Sequence, residues 1–571
     1  MSFTPPTADQ LLAIQINAGM AELAAHPRFA EASPDLVEAV VAGIGEFAAG
    51  EWAPLNRIGD TEGARLELGE VTLPTGFAAA YQAYVEQGWN AVAGDPEYGG
   101  QGLPFTLAAA VLENLGAANM AFSLLPMLTG GAIEALAQHG SAEQQALYLP
   151  RLISGEWSGT MNLTEPQAGS DLGALRTMAT PIAEGEHAGK YRIKGTKIFI
   201  TWGEHALARN VVHLVLARTP DAPAGSRGIS LFVVPKLLIV ADGEVGARND
   251  LACVGLEHKL GIHASPTCVM SFGDNDACIG ELVGRENEGL KAMFTMMNAA
   301  RINVGNQGVQ IAERAWQQAR DYALTRVQSA RAGSPDKGPV AIAEHPDVRR
   351  MLLRMRALTE AARALLYYTT GQVDRAALGD AAAEQRADCL VPLLKAWGTD
   401  VGCEVASLGV QVHGGMGFIE ETGAAQHYRD ARITPIYEGT NGIQAADLVT
   451  RKLGLGGGDV LTALFAEIAK DSSDAPALTS LAKACLETAD WMKASASLDD
   501  RLAGSVPFCT MAAVAVAGWQ LQRQARVGDA TKQVTAQFFM AQIVPEALGL
   551  HAAATAGAAL LYALDTAALT A

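Results

Sequence analysis

A single carboxylate, Glu438, stands between a tyrosine and a glycine in RITPIYEGTNGIQ (432–444), and residues 433–444 are otherwise apolar, small or uncharged polar. A glutamate on a surface loop is ordinarily just solvated. Aromatic and small neighbours instead make a carboxylate a stronger base, because desolvation disfavours its charged form. Gly439, Thr440, Asn441 and Gly442 follow, small residues that let a ligand approach the backbone closely. Three further stretches have the residue types of a ligand site. In MNLTEPQAGSDLGALRT (161–177), Thr164 could offer a hydroxyl to a flat heterocycle, while Ser170 and exposed amides could meet a phosphate. In KIFITWG (197–203), Phe199 could lie against a planar ring and Thr201 could hydrogen-bond to it. In QVHGGMGF (411–418), two close glycines after a helix could be a plain C-cap, or could let a second chain's ligand lie against the backbone. An ordinary loop, strand or helix end would explain each of the three taken singly.

The elements that must position these residues fall into a clear order. The chain has 571 residues, 49% hydrophobic and 18% charged, a globular composition with ample length for a sizeable core. A net charge of −19 argues against non-specific binding to nucleic acid or an anionic membrane. Seven scattered cysteines without a CxxC pair fit reduced thiols in a cytosolic protein. The first Lys or Arg is Arg28, so a secretory or mitochondrial leader is not expected, and the protein is expected in the cytoplasm. The apolar run from Leu548 is too short to span a bilayer and predicts a packed helix; no membrane span is expected. Residues 1–155 read as an N-terminal helical domain, with a capping-box pattern at Ser141 and Gln144. Short β-branched and aromatic runs over 156–280 predict a central antiparallel sheet or barrel. Long amphipathic patterns over 281–450 predict a helical bundle that carries the Glu438 loop. After the glycine-rich LGLGGGDV, a helical extension over 455–571 places Val460, Leu461, Leu464, Phe465 and Ile468 on one face. The fold class is thus α+β, multi-domain: helices, a β-module, helices and a helical extension.

Taken together and in order, the four motifs resemble one family, the flavin-dependent acyl-CoA dehydrogenases. That family combines a TEPxAGSD loop, a K-x-[WF]-I-T strand, a Q-x-x-GGxG loop and a YEGT loop carrying the base, and all four are present between about 160 and 445. The extra C-terminal helices resemble a longer bacterial subgroup that includes 3-methylmercaptopropionyl-CoA dehydrogenases. The resemblance implies FAD as cofactor. It assigns Met161, Leu163, Thr164, Gly169, Ser170, Phe199, Ile200 and Thr201 to the flavin and pyrophosphate. Arg326, Gln411 and Gly415 match residues that meet the FAD of a neighbouring subunit, and Thr440 and Asn441 match flavin contacts after the base. For substrate it implies Ser170, Asn298, Arg301, Tyr437, Glu438 and Gly439; no residue is assigned to a metal. An unpaired Arg301 in such apolar surroundings would be costly, so an anionic partner is required whether its role is structural or ligand-binding.

The implied reaction takes a proton from the α-carbon of an acyl-CoA and a hydride from the β-carbon, giving a trans-2-enoyl-CoA. Glu438 would be the base. A minority of the family places the base on the long helix just before the arginine that Arg301 matches; that position is Ala300 here, which cannot serve. Electrons would pass to an electron-transfer flavoprotein, and a homodimer or tetramer is implied. The substrate implied is 3-methylmercaptopropionyl-CoA or a fatty acyl-CoA, with Met296 and Met297 near the acyl chain, although Met is also an ordinary core filler. An acyl-CoA oxidase using oxygen and a catalytically inactive flavin-binding paralogue are the alternatives.

Overall fold

The computed structural model describes residues 3–240 and 243–570. Packing divides the chain into two compact units, one of residues 46–103 and 118–300, the other of residues 1–45, 104–117 and 301–571.

The first unit is built on an eight-stranded sheet. Its strands are β1 (Trp157–Asn162), β2 (Met178–Pro181), β3 (Tyr191–Thr201), β4 (Asn210–Ala217), β5 (Ser230–Pro235), β6 (Leu251–Leu256), β7 (Thr267–Phe272) and β8 (Ile279–Val283). Their spatial order is β6–β7–β3–β8–β5–β4–β1, with β2 also paired to β3. β4 and β5 are buried along their whole length, which is why NVVHLVLA and SLFVVP read as continuous apolar runs. β3 alternates between buried and open positions. Among the described residues the strand ladders are antiparallel except β1 with β4, which run parallel from Trp157↔Asn210 to Asn162↔Val215; an isolated parallel bridge, Met178↔Arg218, also joins the start of β2 to the end of β4. The expected antiparallel sheet thus has one parallel pair. The β1–β4 connection carries two other strands and so has the length that a parallel crossover needs. Helix α1 (Met120–His139) packs on β1, and Gly159 allows the approach, since a Cβ there would lie 2.3 Å from the Ala132 Cβ. α1 is long and apolar enough to cross a membrane by length and composition, but most of it is buried inside the fold. A short hairpin, Arg65–Glu67 with Glu70–Thr72, lies in the segment read as helical, its turn formed by Leu68 (φ +53°) and Gly69 (φ +83°). Two consecutive positive φ values suit the tight hairpin loop that joins such strands. The capping box at Ser141 and Gln144 is present.

The second unit is helical. Its long elements are residues 301–325 of α2 (Gly289–Thr325), α3 (Pro346–Ala377) and α4 (Ala381–His413), followed by α5 (Asn441–Thr450). Glycines let α2 and α4 touch: a Cβ on Gly308 would lie 1.9 Å from the Gly398 carbonyl oxygen, and one on Gly305 2.5 Å from Leu394 Cγ. Arg363 on α3 is buried with two carboxylates, donating to Glu113 at 2.7 Å and Glu313 at 2.6 Å; Tyr367 also donates to Glu113. The extension begins at Val460 after a kink at Leu455–Gly457, and its first helix buries Leu461, Leu464, Phe465 and Ile468. Its longest helix, α6 (Ser505–Ala525), packs on α3, α4 and α5. Lys532 ties the extension to the rest of the unit, pairing with Asp9 at 2.8 Å and Glu360 at 2.6 Å. The expected helix from Leu548 is a single turn, His551–Ala554. Beyond it Ala558 is buried and its amide donates to Asp500 at 2.8 Å, while Leu560, Leu561, Tyr562 and Leu564 are exposed.

Candidate active site

The loop bearing Glu438 is fixed from three sides. Thr440 caps α5 by accepting from the Ile443 amide, and the Asn441 amide donates to the Pro435 carbonyl at 3.0 Å. The Asn441 side chain is held by α4: it accepts from Lys395 Nζ at 3.0 Å and donates to the Ala396 carbonyl at 3.0 Å and Asp400 at 2.8 Å. Tyr437 donates its hydroxyl to Gln307. Between these anchors the backbone turns left-handed twice, at Glu438 (φ +57°) and Gly439 (φ +85°). A non-glycine residue in that region costs energy and persists only where its surroundings over-determine it, a condition that gathers at functional sites. Gly439 is required twice over, since a Cβ there would also lie 2.8 Å from Gln444 Nε2. The Glu438 carbonyl accepts from Arg301 Nε at 3.3 Å and Gln444 Nε2 at 3.2 Å, so its backbone is pinned while its carboxylate is left to the site.

The electrostatics follow from that geometry. Burial pushes the half-buried Glu438 carboxyl up to about 7, against the opposing pull of the Arg301 and Lys395 cations. Burial pushes the fully buried Lys395 down to about 8, with Glu438 and Asp400 acting against that shift. Lys395 and Gln444 were not singled out from sequence. A lone cation inside the apolar helical run LVPLLKAWG was the available signal for the lysine.

The first unit carries the other motif residues. β1 leads into the 163–171 turn, where Met161, Leu163 and Thr164 are half-buried and Gly169 and Ser170 exposed. Space around Gly169 is open even to an added Cβ, and the amides of Gly169 and Ser170 have no hydrogen-bond partner among the described residues. β3 ends beside this turn, with the Ile198 amide donating to the Thr164 carbonyl at 2.9 Å. Against β7 the register passes from Lys197↔Met270 to Ile200↔Cys268, so Ile198 and Phe199 face the single residue Val269. This bulge puts Phe199 in the left-handed region (φ +61°) and leaves the residue 57% exposed. Ile200 points into the core, and Thr201 is half-buried. Trp202, also left-handed (φ +54°), donates its indole N–H to the Ala121 carbonyl at 3.2 Å. Phe122 lies 5.9 Å from its ring and continues a stack to Trp52 and Phe77.

A third group gathers at one end of the helical unit. Gln411 and Gly415 are exposed where α4 passes into the Gly414–Phe418 turn, and an added Cβ on Gly414 or Gly415 would meet nothing within 4 Å. His413 stacks on Tyr322 with ring centroids 4.4 Å apart, which brings the α2 end bearing the exposed Arg326 beside this turn. Arg301 is buried on α2, and Asn298, half-buried, lies three residues before it.

The chain matches the acyl-CoA dehydrogenase N-terminal domain over residues 37–156, the middle domain over 160–275 and the C-terminal domain over 287–453; residues 464–565 match an acetyl-CoA dehydrogenase C-terminal-like domain. It is 49% identical to 3-methylmercaptopropionyl-CoA dehydrogenase of Ruegeria pomeroyi, over 97% of this chain and 98% of that protein. The chain belongs to the acyl-CoA dehydrogenase family. It is an oxidoreductase of that family, with the helical, β and helical domains read from its sequence and a further helical domain after them. Among solved structures its fold is similar to an acyl-CoA dehydrogenase of Bacillus anthracis complexed with FAD (TM-score 0.74, 22% identity, covering 94% of this chain and 90% of that one). It is also similar to Caenorhabditis elegans ACDH-11 in complex with C11-CoA (TM-score 0.78, 20% identity, covering 95% and 92%). Within this family an isolated, desolvated carboxylate on a pinned loop suits proton abstraction. An exposed ring beside open amides suits a planar cofactor with a pyrophosphate.

Proposed function

We propose that this protein uses FAD to dehydrogenate an acyl-CoA thioester between its α- and β-carbons, with Glu438 as the base. The observation that carries the reading is Glu438 itself: a carboxylate in strained backbone, pinned through its carbonyl and desolvated, beside two cations. The residues fit FAD. The exposed Phe199 ring on its bulge and the hydroxyls of Thr164 and Thr201 suit the flavin, alongside Met161, Leu163 and Ile200. The open amides of Gly169 and Ser170 suit the pyrophosphate. Arg326, Gln411 and Gly415 would meet the FAD of a second subunit in a homodimer or tetramer, and Thr440 and Asn441 would border the ring. Bound there, FAD supplies the acceptor for the β-hydride. Glu438 accepts the α-proton at its carboxylate, Tyr437 excludes water, Gly439 leaves room for the thioester, and Arg301 and Asn298 orient the substrate. The developing oxyanion of the thioester needs donors, and the Glu438 backbone amide is one. Electrons then leave to an electron-transfer flavoprotein, and the enzyme works in the cytoplasm.

The acyl group we assign is 3-methylmercaptopropionyl, on the near-full-length 49% identity to the Ruegeria pomeroyi enzyme. Anaerobic addition of a panel of acyl-CoAs to the FAD-loaded protein tests this. Bleaching of the flavin band is expected to be fastest with the methylthio-propionyl thioester; a faster butyryl or longer-chain thioester would reassign the substrate, and no bleaching by any acyl-CoA would overturn the function. The pH dependence is fixed by the base. Below about 7 Glu438 is protonated and cannot accept a proton, so kcat/KM is expected to rise roughly tenfold per pH unit up to about 7 and then level. A profile flat between pH 5 and pH 7, on the order of the free glutamate range and above, would contradict the assignment.

A further inference from the structure

Glu165 and Lys197 are charged residues inside the cofactor motifs to which no cofactor role is assigned. Glu165 follows Thr164 in the loop, and Lys197 opens KIFIT. In the structure they meet: Lys197 Nζ is 2.8 Å from Glu165 Oε1, and their side chains are 0% and 4% exposed. Lys197 also donates to the Leu163 carbonyl at 3.0 Å. Glu165 collects the Arg176 amide at 2.7 Å, the Thr177 amide at 3.0 Å and the Thr177 hydroxyl at 2.6 Å. Gln167 donates to it at 2.7 Å. Burial alone would raise the Glu165 carboxyl, but Lys197 and these hydrogen bonds hold it down to about 2; burial pushes Lys197 down to about 8 against the pull of Glu165, which still leaves it charged at neutral pH.

The placement gives the pair a purpose. Lys197 is the last regular residue before the bulge that turns Phe199 outward, and Glu165 immediately follows Thr164. The strained Phe199 backbone has no glycine to relieve it, so its conformation must be imposed by neighbours. Upstream of the bulge, the tie to the 163–165 turn is the Lys197 ammonium together with the Ile198 amide. Downstream, the Trp202 amide and indole hold the strand.

We propose that Glu165 and Lys197 are positioning residues, a buried ionic clamp that fixes the 163–170 turn against the Phe199 bulge and so preforms the bed for the flavin ring and pyrophosphate. The proposal rests on the FAD reading above, and its test separates the two. Apoprotein of the wild type, Glu165→Gln, Lys197→Met and the Glu165→Gln/Lys197→Met double variant is titrated with FAD. The readouts are flavin fluorescence quenching, the fine structure of the bound flavin's visible spectrum, and thermal midpoints of the apoproteins. Each single variant leaves one buried charge unpaired and is expected to lose both stability and FAD affinity, by about tenfold or more in affinity. The double variant buries no unpaired charge, so its apoprotein is expected to regain the wild-type midpoint. It is nonetheless expected to bind FAD about tenfold or more weakly and with blurred spectral structure, because only the Ile198 amide then ties the turn to the bulge. A double variant with wild-type FAD affinity and spectrum would overturn the clamp. A milder variant, Thr177→Val, removes one hydrogen bond to Glu165 while preserving volume; it is expected to weaken FAD by about threefold to tenfold, and an unchanged affinity would likewise count against the proposal. Failure of the wild-type apoprotein to take up FAD at all would overturn the cofactor reading itself.

Discussion

Glu438→Gln is expected to fold, hold FAD and bind acyl-CoA while losing turnover by about 10⁴-fold, the upper end of what a positioned general base contributes. The substitution keeps the side chain's shape. The hydrogen bonds that pin the loop come to the Glu438 carbonyl from Arg301 and Gln444, and they survive the change. The left-handed backbone at 438 is imposed by Gly439, Tyr437 and the Asn441 anchor, not by the carboxylate. What disappears is the proton acceptor, and no second carboxylate stands at position 300, where Ala300 is buried. Steady-state kcat, FAD affinity and the thermal midpoint measured on one preparation separate the chemistry from the fold. A variant that keeps turnover within about tenfold of wild type, below the range of a lost base, would contradict the assignment.

The largest effect on stability is expected from Arg363→Met, which leaves Glu113 and Glu313 as uncompensated charges in the helical unit. Arg363 is 1% exposed, Glu113 1% and Glu313 3%, so water cannot take over from the guanidinium. Breaking such a buried pair costs about 3–5 kcal/mol, far more than the loss of the apolar contacts of one side chain in a residue of similar size. Glu113 lies on the Phe105–Ala118 helix, far in sequence from α2 and α3, so the loss should be felt as one cooperative weakening of the unit. Differential scanning calorimetry is expected to show the helical unit unfolding several degrees earlier. The triple variant Arg363→Met/Glu113→Gln/Glu313→Gln should recover most of that loss, because the destabilising element in the single variant is the unpaired charge. An unchanged midpoint for Arg363→Met would contradict the account.

The sequence carried the chemistry further than it carried the connections. Glu438 was legible because its neighbours are wrong for a solvated loop, and the TEPQAGSD and KIFIT segments because hydroxyls, glycines and an aromatic recur in a fixed order. The helix–sheet–helix order followed from a change of hydrophobic period near residue 156 and its return near 284. The parallel pairing of β1 with β4 was not legible, since partners about fifty residues apart leave no local trace. The 65–72 hairpin was missed because two three-residue strands are too short to establish a period against helical surroundings. The left-handed backbone at Glu438, Phe199 and Trp202 was invisible for a different reason: none of these is a glycine, so the strain is set by tertiary contacts and not by residue type. Lys197 and Glu165 were each visible as motif letters. That they form one buried pair depends on a 32-residue loop closing, and so belongs to the fold.

The central claim is that Glu438 removes the α-proton of an acyl-CoA while FAD accepts the hydride. Its most direct test is anaerobic rapid mixing of FAD-loaded wild type and Glu438→Gln with 3-methylmercaptopropionyl-CoA carrying hydrogen or deuterium at the α-carbon, followed by loss of the flavin's visible band. The wild type is expected to bleach, and more slowly with α-deuterium; the variant is expected to stay yellow with either substrate. Bleaching of Glu438→Gln at a near-normal rate, with the same sensitivity to α-deuterium, would show that another group takes the proton.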